Sequence, residues 1–200
     1  MFEDRQDLMP LYERLREAEE KEQYASARLI YDDLRQRDPG NPALHIMESR
    51  CLNMLAAFGE SERLLGEVEK GLPEELRGEW CEALAEKRSG QGKFEDAMSL
   101  LRKAHGYLGE PHLLTEASIC ALALQEFGKA EFLCREALKE ESEIPAAAVQ
   151  LAHILIAQQR YDEAEDAVLK SLAAEKNDDV VILLEDLQRR EALKDFLEDH

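Results

Sequence analysis

The chain has 200 residues, of which 44% are hydrophobic and 34% are charged, and its formal net charge is −19. This balance is typical of a folded chain with a sizeable core rather than of a disordered one. Because phosphate-rich partners are bound through clustered lysine and arginine, the strong negative charge argues against nucleic acid and anionic membrane surfaces as partners.

The N-terminal stretch "MFEDRQDLMP" has neither the basic start nor the apolar run of a signal peptide. No apolar stretch approaches the roughly 20 residues that a membrane-spanning helix needs. The four cysteines lie far apart in the sequence and form no CxxC pair, which favours buried thiols over disulfides. We therefore expect a cytoplasmic protein without membrane insertion.

From residue 8 to residue 178 the chain consists of five similar segments, approximately 8–41, 42–77, 78–110, 111–144 and 145–178. Each segment contains one aromatic residue, and successive aromatics are 33 to 36 residues apart. These aromatics are Tyr24, Phe58, Phe94, Phe127 and Tyr161. The residue three positions later is always small: Ala27, Ser61, Ala97, Ala130 and Ala164.

Each segment holds two amphipathic stretches separated by turn-forming residues, which predicts a pair of antiparallel helices. Small residues on the helices allow a close approach, and the aromatic fills the space beside the turn. Neither helix can bury its apolar face alone, so consecutive pairs have to stack. The last stretch, 179–200, lacks an aromatic in phase but is strongly helical, which predicts a C-terminal capping helix.

The chain resembles the tetratricopeptide repeat (TPR) family in three features. These are the period of the aromatics, the small residue three positions after each aromatic, and Pro39 at the end of the first segment. Arg14 and Glu48 depart from the pattern, because the family usually has an apolar residue at their positions. The resemblance implies one all-α domain over 1–200, a right-handed superhelical α-solenoid of stacked antiparallel helix pairs. It also implies a concave groove, lined by the first helix of each pair, that receives a peptide or helix.

In that family the groove residues stand twelve, eight and five positions before each aromatic. These positions include Glu19 and Ser89. The other positions, with one further acidic residue on the third segment, are taken as candidate partner-binding residues. They are Tyr12, Arg16, Ile46, Arg50, Asn53, Glu79, Glu82, Glu86, Thr115, Ile119, Leu122, Val149, His153 and Ile156.

The candidate groove divides by chemistry. Glu79, Glu82 and Glu86 make its middle acidic, and a solvated helix face is the competing interpretation of these charges. Its C-terminal part is apolar and predicts either an interface or a surface that the capping helix covers. The family's carboxylate clamp is poorly matched, since its positions hold Tyr12, Arg16, Met47, Glu79 and Ala83. Only Arg16 could serve there.

Catalytic motifs are absent from the sequence: it contains no GxSxG, no HExxH and no metal-ligand spacing among its five histidines. The glycines of "SGQGKF" fall between paired helices rather than after a strand. We expect no enzyme activity, cofactor or metal.

The sequence favours a protein–protein interaction scaffold or adaptor whose partner is a peptide or helix, with basic residues as a candidate feature. The first alternative is a homo-oligomer that uses the apolar surfaces. The remote alternatives are a small-molecule-responsive regulator and a small enzyme.

Overall fold

The computed structural model describes residues 8–141, 145–174 and 181–189, and within these ranges all regular structure is helical. Two short 3-10 helices, Glu69–Gly71 and Glu74–Leu76, and a helical stretch at 181–189 accompany the α-helices. The α-helices are α1 (Met9–Glu20), α2 (Tyr24–Arg37), α3 (Pro42–Met54), α4 (Phe58–Val68), α5 (Arg77–Gly90), α6 (Phe94–Leu108), α7 (His112–Ala123), α8 (Phe127–Glu140), α9 (Pro145–Ala157) and α10 (Tyr161–Ala174).

The helices form five pairs, and each pair is joined by a turn of three residues. All five aromatics of the sequence pattern are the first residue of the second helix in their pair. Each pair lies within one predicted segment, except that α5 begins one residue earlier, at Arg77. Of the predicted capping helix, 181–189 is helical, and the rest lies outside the described residues.

One turn geometry recurs in all five pairs. The residue two positions before each aromatic has a left-handed backbone, with φ between 53° and 74°. The amide of the next residue donates to a carbonyl five residues back at 2.8–2.9 Å, which closes the first helix as a Schellman-type cap. The left-handed residues are Glu22, Ala56, Gly92, Gln125 and Gln159.

The small residues of the repeat pattern lie between the two helices of each pair. Ala27, Ser61, Ala97, Ala130 and Ala164 are all fully buried. A comparably close contact involves Phe58 and Gly90 in neighbouring pairs, because a Cβ atom added at Gly90 would lie 2.6 Å from Cζ of Phe58. The residue types at these positions are therefore set by the distance between helices.

The chain divides into two compact units, Met1–Leu108 and Gly109–His200. The first unit contains α1 to α6, and its core includes Tyr31, Leu34, Leu44 and Leu65. The second contains α7 to α10, with Leu155 among its buried residues. The division falls in the connection between the third and fourth helix pairs.

Candidate partner-binding surface

Residues of α1, α2, α3 and α5 in the N-terminal unit line a cavity of about 400 Å³, which we call the methionine cavity. Its volume lies within the range of sites that hold a ligand or a large side chain. It is lined by Glu19, Tyr24, Tyr31, Met47, Arg50, Cys51, Met54 and Glu86. Two of these residues, Arg50 and Glu86, are among the candidates from the sequence, and Glu19 stands at another predicted groove position, five residues before Tyr24.

Two exposed methionines of α3 form one wall of the methionine cavity. Met47 is 37% exposed and Met54 is 62% exposed. They are seven residues apart, with Arg50 between them, so all three side chains share one helix face. Methionine is flexible and polarisable, and it can adapt its shape to an apolar side chain of a partner.

Arg50 neutralises part of the acidic surface beside the cavity. Its guanidinium lies 2.9 Å from Oε1 of Glu82 and 2.8 Å from Oε1 of Glu86, both on α5. Arg50 and the two glutamates thus join the first helices of neighbouring pairs. Glu82 itself is only 6% exposed. The sequence analysis took these two carboxylates as candidate contacts for a basic partner. In the structure they are already paired with Arg50.

Two groups in the cavity wall are held in their neutral form. Burial and a hydrogen bond donated to Glu19 both raise the pKa of the Tyr31 hydroxyl far above its ordinary value. Burial also raises the pKa of Cys51 to about 11, and its thiol donates to the carbonyl of Tyr24 at 3.1 Å. A thiol with so little thiolate is a structural group rather than a nucleophile.

Four of the candidate residues are buried, which corrects their assignment to an open groove. Ile46 is fully buried and Asn53 is 9% exposed, while Glu82 and Thr115 are 6% and 5% exposed. Asn53 shows the reason, because its side-chain amide donates to the carbonyl of Ala83 on α5 at 2.8 Å. Positions twelve and five before the aromatic of the second pair face the neighbouring helix instead of solvent.

The open face of α3 is rotated from the predicted one by roughly 65°, at 100° per residue. It carries the residues eleven, eight and four positions before the aromatic, which are Met47, Arg50 and Met54. The candidate list therefore missed both methionines by one position, although Met47 had been noted at a position of the family's carboxylate clamp. A signal was available, since two methionines seven residues apart are a large apolar surface beside an arginine.

The remaining candidates keep some exposure. In the first unit Arg16 is exposed and lies 3.7 Å from Glu20, while Tyr12 and Glu79 are half-buried. In the second unit Ile119 is 50% exposed and His153 is also exposed. The other three apolar candidates of that unit, Leu122, Val149 and Ile156, are half-buried.

The helical stretch 181–189 contacts α10. The side-chain amide of Gln188 donates to Glu165 at 3.1 Å, and Leu187 is 5% exposed. The exposure of Ile119 shows that this side chain of the second unit is not covered.

The described ranges contain no group of three or more histidine, cysteine or acidic residues placed to hold a metal ion. All four cysteines are free and buried, as expected from their spacing. No helix among the described residues has the length and apolar character required to cross a membrane.

Residues 121–187 match the sequence profile of the tetratricopeptide repeat family. This C-terminal part of the chain is therefore similar to tetratricopeptide repeats. The matched segment covers the fourth turn, α8, α9, α10 and most of the helical stretch that follows. No curated protein sequence matches the chain.

Solved TPR structures share the fold at low sequence identity. The yeast protein Tom70 has a TM-score of 0.72 and 18% identity, over 91% of this chain and 40% of that one. TTC0263, a TPR protein from Thermus thermophilus, has a TM-score of 0.66 and 19% identity, over 90% of this chain and 97% of that one. The all-α solenoid predicted from the sequence is thereby confirmed.

A third similar structure contains a peptide. The first TPR of Spaghetti (RPAP3), bound to the HSP90 peptide SRMEEVD, has a TM-score of 0.53 and 21% identity. The similarity covers 58% of this chain and 96% of that one.

Proposed function

We propose that this chain is a non-catalytic interaction module that holds a peptide or helical segment of another protein against the first helices of its N-terminal unit. TPR folds serve in general as protein–protein interaction scaffolds, and TPR proteins are generally non-enzymatic. The observation that carries the proposal is the methionine cavity, an open concavity with two exposed methionines. The free buried thiols favour a reducing compartment such as the cytoplasm.

The cavity wall defines the chemistry of the partner segment. An apolar side chain of the partner would pack between Met47 and Met54, and its burial would contribute roughly 1.5–3 kcal/mol before ordering costs. The polar wall contains Glu19, Glu86 and Arg50; because Arg50 is already paired with Glu86, Glu19 is the carboxylate that a basic residue of the partner would meet. We therefore propose a basic residue next to the apolar anchor, acting mainly on orientation and on the rate of encounter.

The second unit offers a separate apolar contact. Ile119 on α7 is half exposed, and Leu122 lies one turn further along the same helix. An exposed isoleucine beside half-buried apolar side chains is the composition expected of a small docking patch. We propose that this patch contributes to partner binding in its own unit.

A pair of glutamate substitutions tests the cavity. The Met47→Glu/Met54→Glu variant places two charges where the apolar anchor would pack, so we expect partners captured from the native source to be lost. The matched control is Leu29→Glu, because Leu29 is 72% exposed on α2 and does not line the cavity. Quantitative mass spectrometry of the captured proteins gives the result. An unchanged set of captured proteins with the cavity variant, in a chain that still folds, would contradict the proposal.

Self-association is the competing function, and light scattering separates it from the proposal. The proposal predicts a monomer across the accessible concentration range. A stable dimer that dissociates in the Met47→Glu/Met54→Glu variant would instead assign the cavity to a second copy of this chain.

A further inference from the structure

The sulfur-containing side chains of the methionine cavity differ in their exposure. Met47 and Met54, two of the chain's five methionines, line this cavity and are 37% and 62% exposed. Cys51 lines the same cavity, but it is buried, and its thiol donates to the carbonyl of Tyr24 at 3.1 Å. The two thioethers are therefore the sulfur groups of this wall that a small oxidant in solution reaches.

Thioethers and thiols also differ in how they react with a peroxide. A cysteine reacts as its thiolate, and a pKa raised to about 11 by burial keeps Cys51 almost entirely protonated. A methionine sulfur has no proton to lose, so access to the oxidant decides its reactivity. Met9, at the start of α1, is 54% exposed and does not line the cavity, so it provides an internal comparison.

An oxygen atom added to either methionine would lie near a hydrogen-bond donor. Arg50 comes three residues after Met47 and four residues before Met54, so its side chain shares their helix face. Its guanidinium has several N–H donors and lies 2.9 Å from Glu82 and 2.8 Å from Glu86. A sulfoxide oxygen is a polar acceptor, so oxidation makes the wall polar where an apolar anchor would pack.

We infer that Met47 and Met54 form a reversible oxidation site through which hydrogen peroxide switches off partner binding at the methionine cavity. A lone pair of the methionine sulfur attacks one oxygen of the peroxide, and the S–O bond forms as the O–O bond breaks. The departing hydroxide takes the proton of the transferred hydroxyl and leaves as water. The sulfur is thereby oxidised by two electrons and the peroxide is reduced. The inference rests on the proposed function, because it requires a partner anchor between the two methionines.

The test uses the full chain and a fluorescent alanine-rich helical peptide that carries one leucine and, one turn away, one lysine. Fluorescence anisotropy gives the affinity, and peptide mapping by mass spectrometry gives the extent of oxidation at each methionine. We expect the affinity to fall by about tenfold or more once Met47 and Met54 are oxidised by hydrogen peroxide. Methionine sulfoxide reductases for both sulfoxide epimers, with dithiothreitol as the reductant, should restore it.

Leucine variants assign the effect to particular methionines. Met47→Leu/Met54→Leu has an apolar wall without an oxidisable sulfur, so its affinities before and after peroxide treatment should be equal. The matched control Met9→Leu/Met98→Leu retains both cavity sulfurs, so its affinity should fall as that of the wild type does.

Two kinds of failure are distinguishable. Unchanged affinity of the oxidised wild type, or equal losses in the two leucine variants, would overturn the inference and leave the proposed function intact. Failure of the peptide to bind the untreated wild-type chain would instead contradict the proposed function, and the inference with it.

Discussion

Among the described residues of the first unit, Lys87 is the most deeply buried charged one. Its side chain is 0% exposed, and Nζ lies 2.8 Å from Oε1 of Glu62 on α4. The aliphatic part of Lys87 fills space inside the helix stack, while its ammonium group reaches a carboxylate at the surface. Packing volume and ion pairing therefore contribute separately to this contact.

Two substitutions of Lys87 separate these contributions. Lys87→Ala removes the packed chain and leaves a cavity, so we expect a loss of about 2–5 kcal/mol in the free energy of unfolding. Lys87→Met keeps most of the volume and removes only the charge, and we expect a change below about 1 kcal/mol. Urea unfolding followed by circular dichroism measures both. Equal losses in the two variants would show that the ion pair, rather than packing, dominates.

In the second unit, Glu131 on α8 accepts a hydrogen bond from Arg160 at 2.6 Å and lies 2.8 Å from Arg135. Burial alone would raise the pKa of Glu131, but the hydrogen bonds from these two arginines outweigh it and lower that pKa below 4.5. Because the pKa is lower in the folded than in the unfolded state, this stabilisation is present above pH 4.5. It is lost as the pH falls through the folded-state value.

Glu131→Gln should therefore lower the free energy of unfolding at pH 7, and the difference from wild type should shrink as the pH falls below 4.5. Denaturant unfolding at a series of pH values measures it. The control is Glu136→Gln on the same helix, whose ion pair with Lys139 is exposed and longer, at 3.8 Å. A difference for Glu131→Gln that grew on acidification would contradict the assignment of the ion pairs.

At the scale of the element, the turns inside the helix pairs are built with unusual residues. A left-handed backbone favours glycine, yet only the third turn has one, Gly92, while Ala56 occupies the same position in the second. In four of the five turns, therefore, no glycine in the sequence marks the left-handed residue. The period of the aromatics predicts where a turn lies, but glutamate, alanine and glutamine give no local indication of its left-handed residue.

Ala56→Gly should stabilise the second helix pair by about 1 kcal/mol, because glycine adopts φ = 55° without the steric cost that alanine has there. The neighbouring Ala57→Gly is the matched control. Its φ is −84°, so glycine relieves no strain and only adds conformational entropy to the unfolded chain. Thermal unfolding of the two variants gives the comparison. Destabilisation by both would indicate that the turn does not hold this geometry in solution.

The sequence predicts helix pairs well and their open faces poorly, and α3 shows why. The repeat period depends on which residues each pair must bury, and this information is present within one segment. Which side of α3 stays open depends on where α5 packs, and that contact buries Ile46 and Asn53. Likewise, Arg50 has two partners, Glu82 and Glu86, which are 32 and 36 residues away in the sequence. Such pairings depend on tertiary packing rather than on local pattern.

At the scale of the whole molecule, each of the two units has its own buried residues, and repeat proteins are stabilised mainly through contacts between neighbouring repeats. Leu155→Ala in α9 and Leu34→Ala in α2 each remove a fully packed side chain, with an expected loss of about 2–5 kcal/mol. We expect each substitution to accelerate amide hydrogen exchange mainly in its own unit.

Hydrogen exchange followed by mass spectrometry measures this directly, with peptides from both units compared in each variant. The two substitutions serve as controls for each other. Equal acceleration throughout the chain by either one would show that the molecule opens as a single cooperative body.

The buried cysteines give each unit a built-in chemical reporter. Cys51 and Cys81 belong to the first unit, and Cys120 and Cys134 belong to the second. Burial raises the pKa of Cys134 to about 11, so its sulfur is almost entirely protonated and inert while the helices stay closed. An alkylating reagent would then modify each thiol only during excursions that expose it. The labelling rate of each cysteine in the native polypeptide thus reports how often its unit opens, and no engineered probe is required.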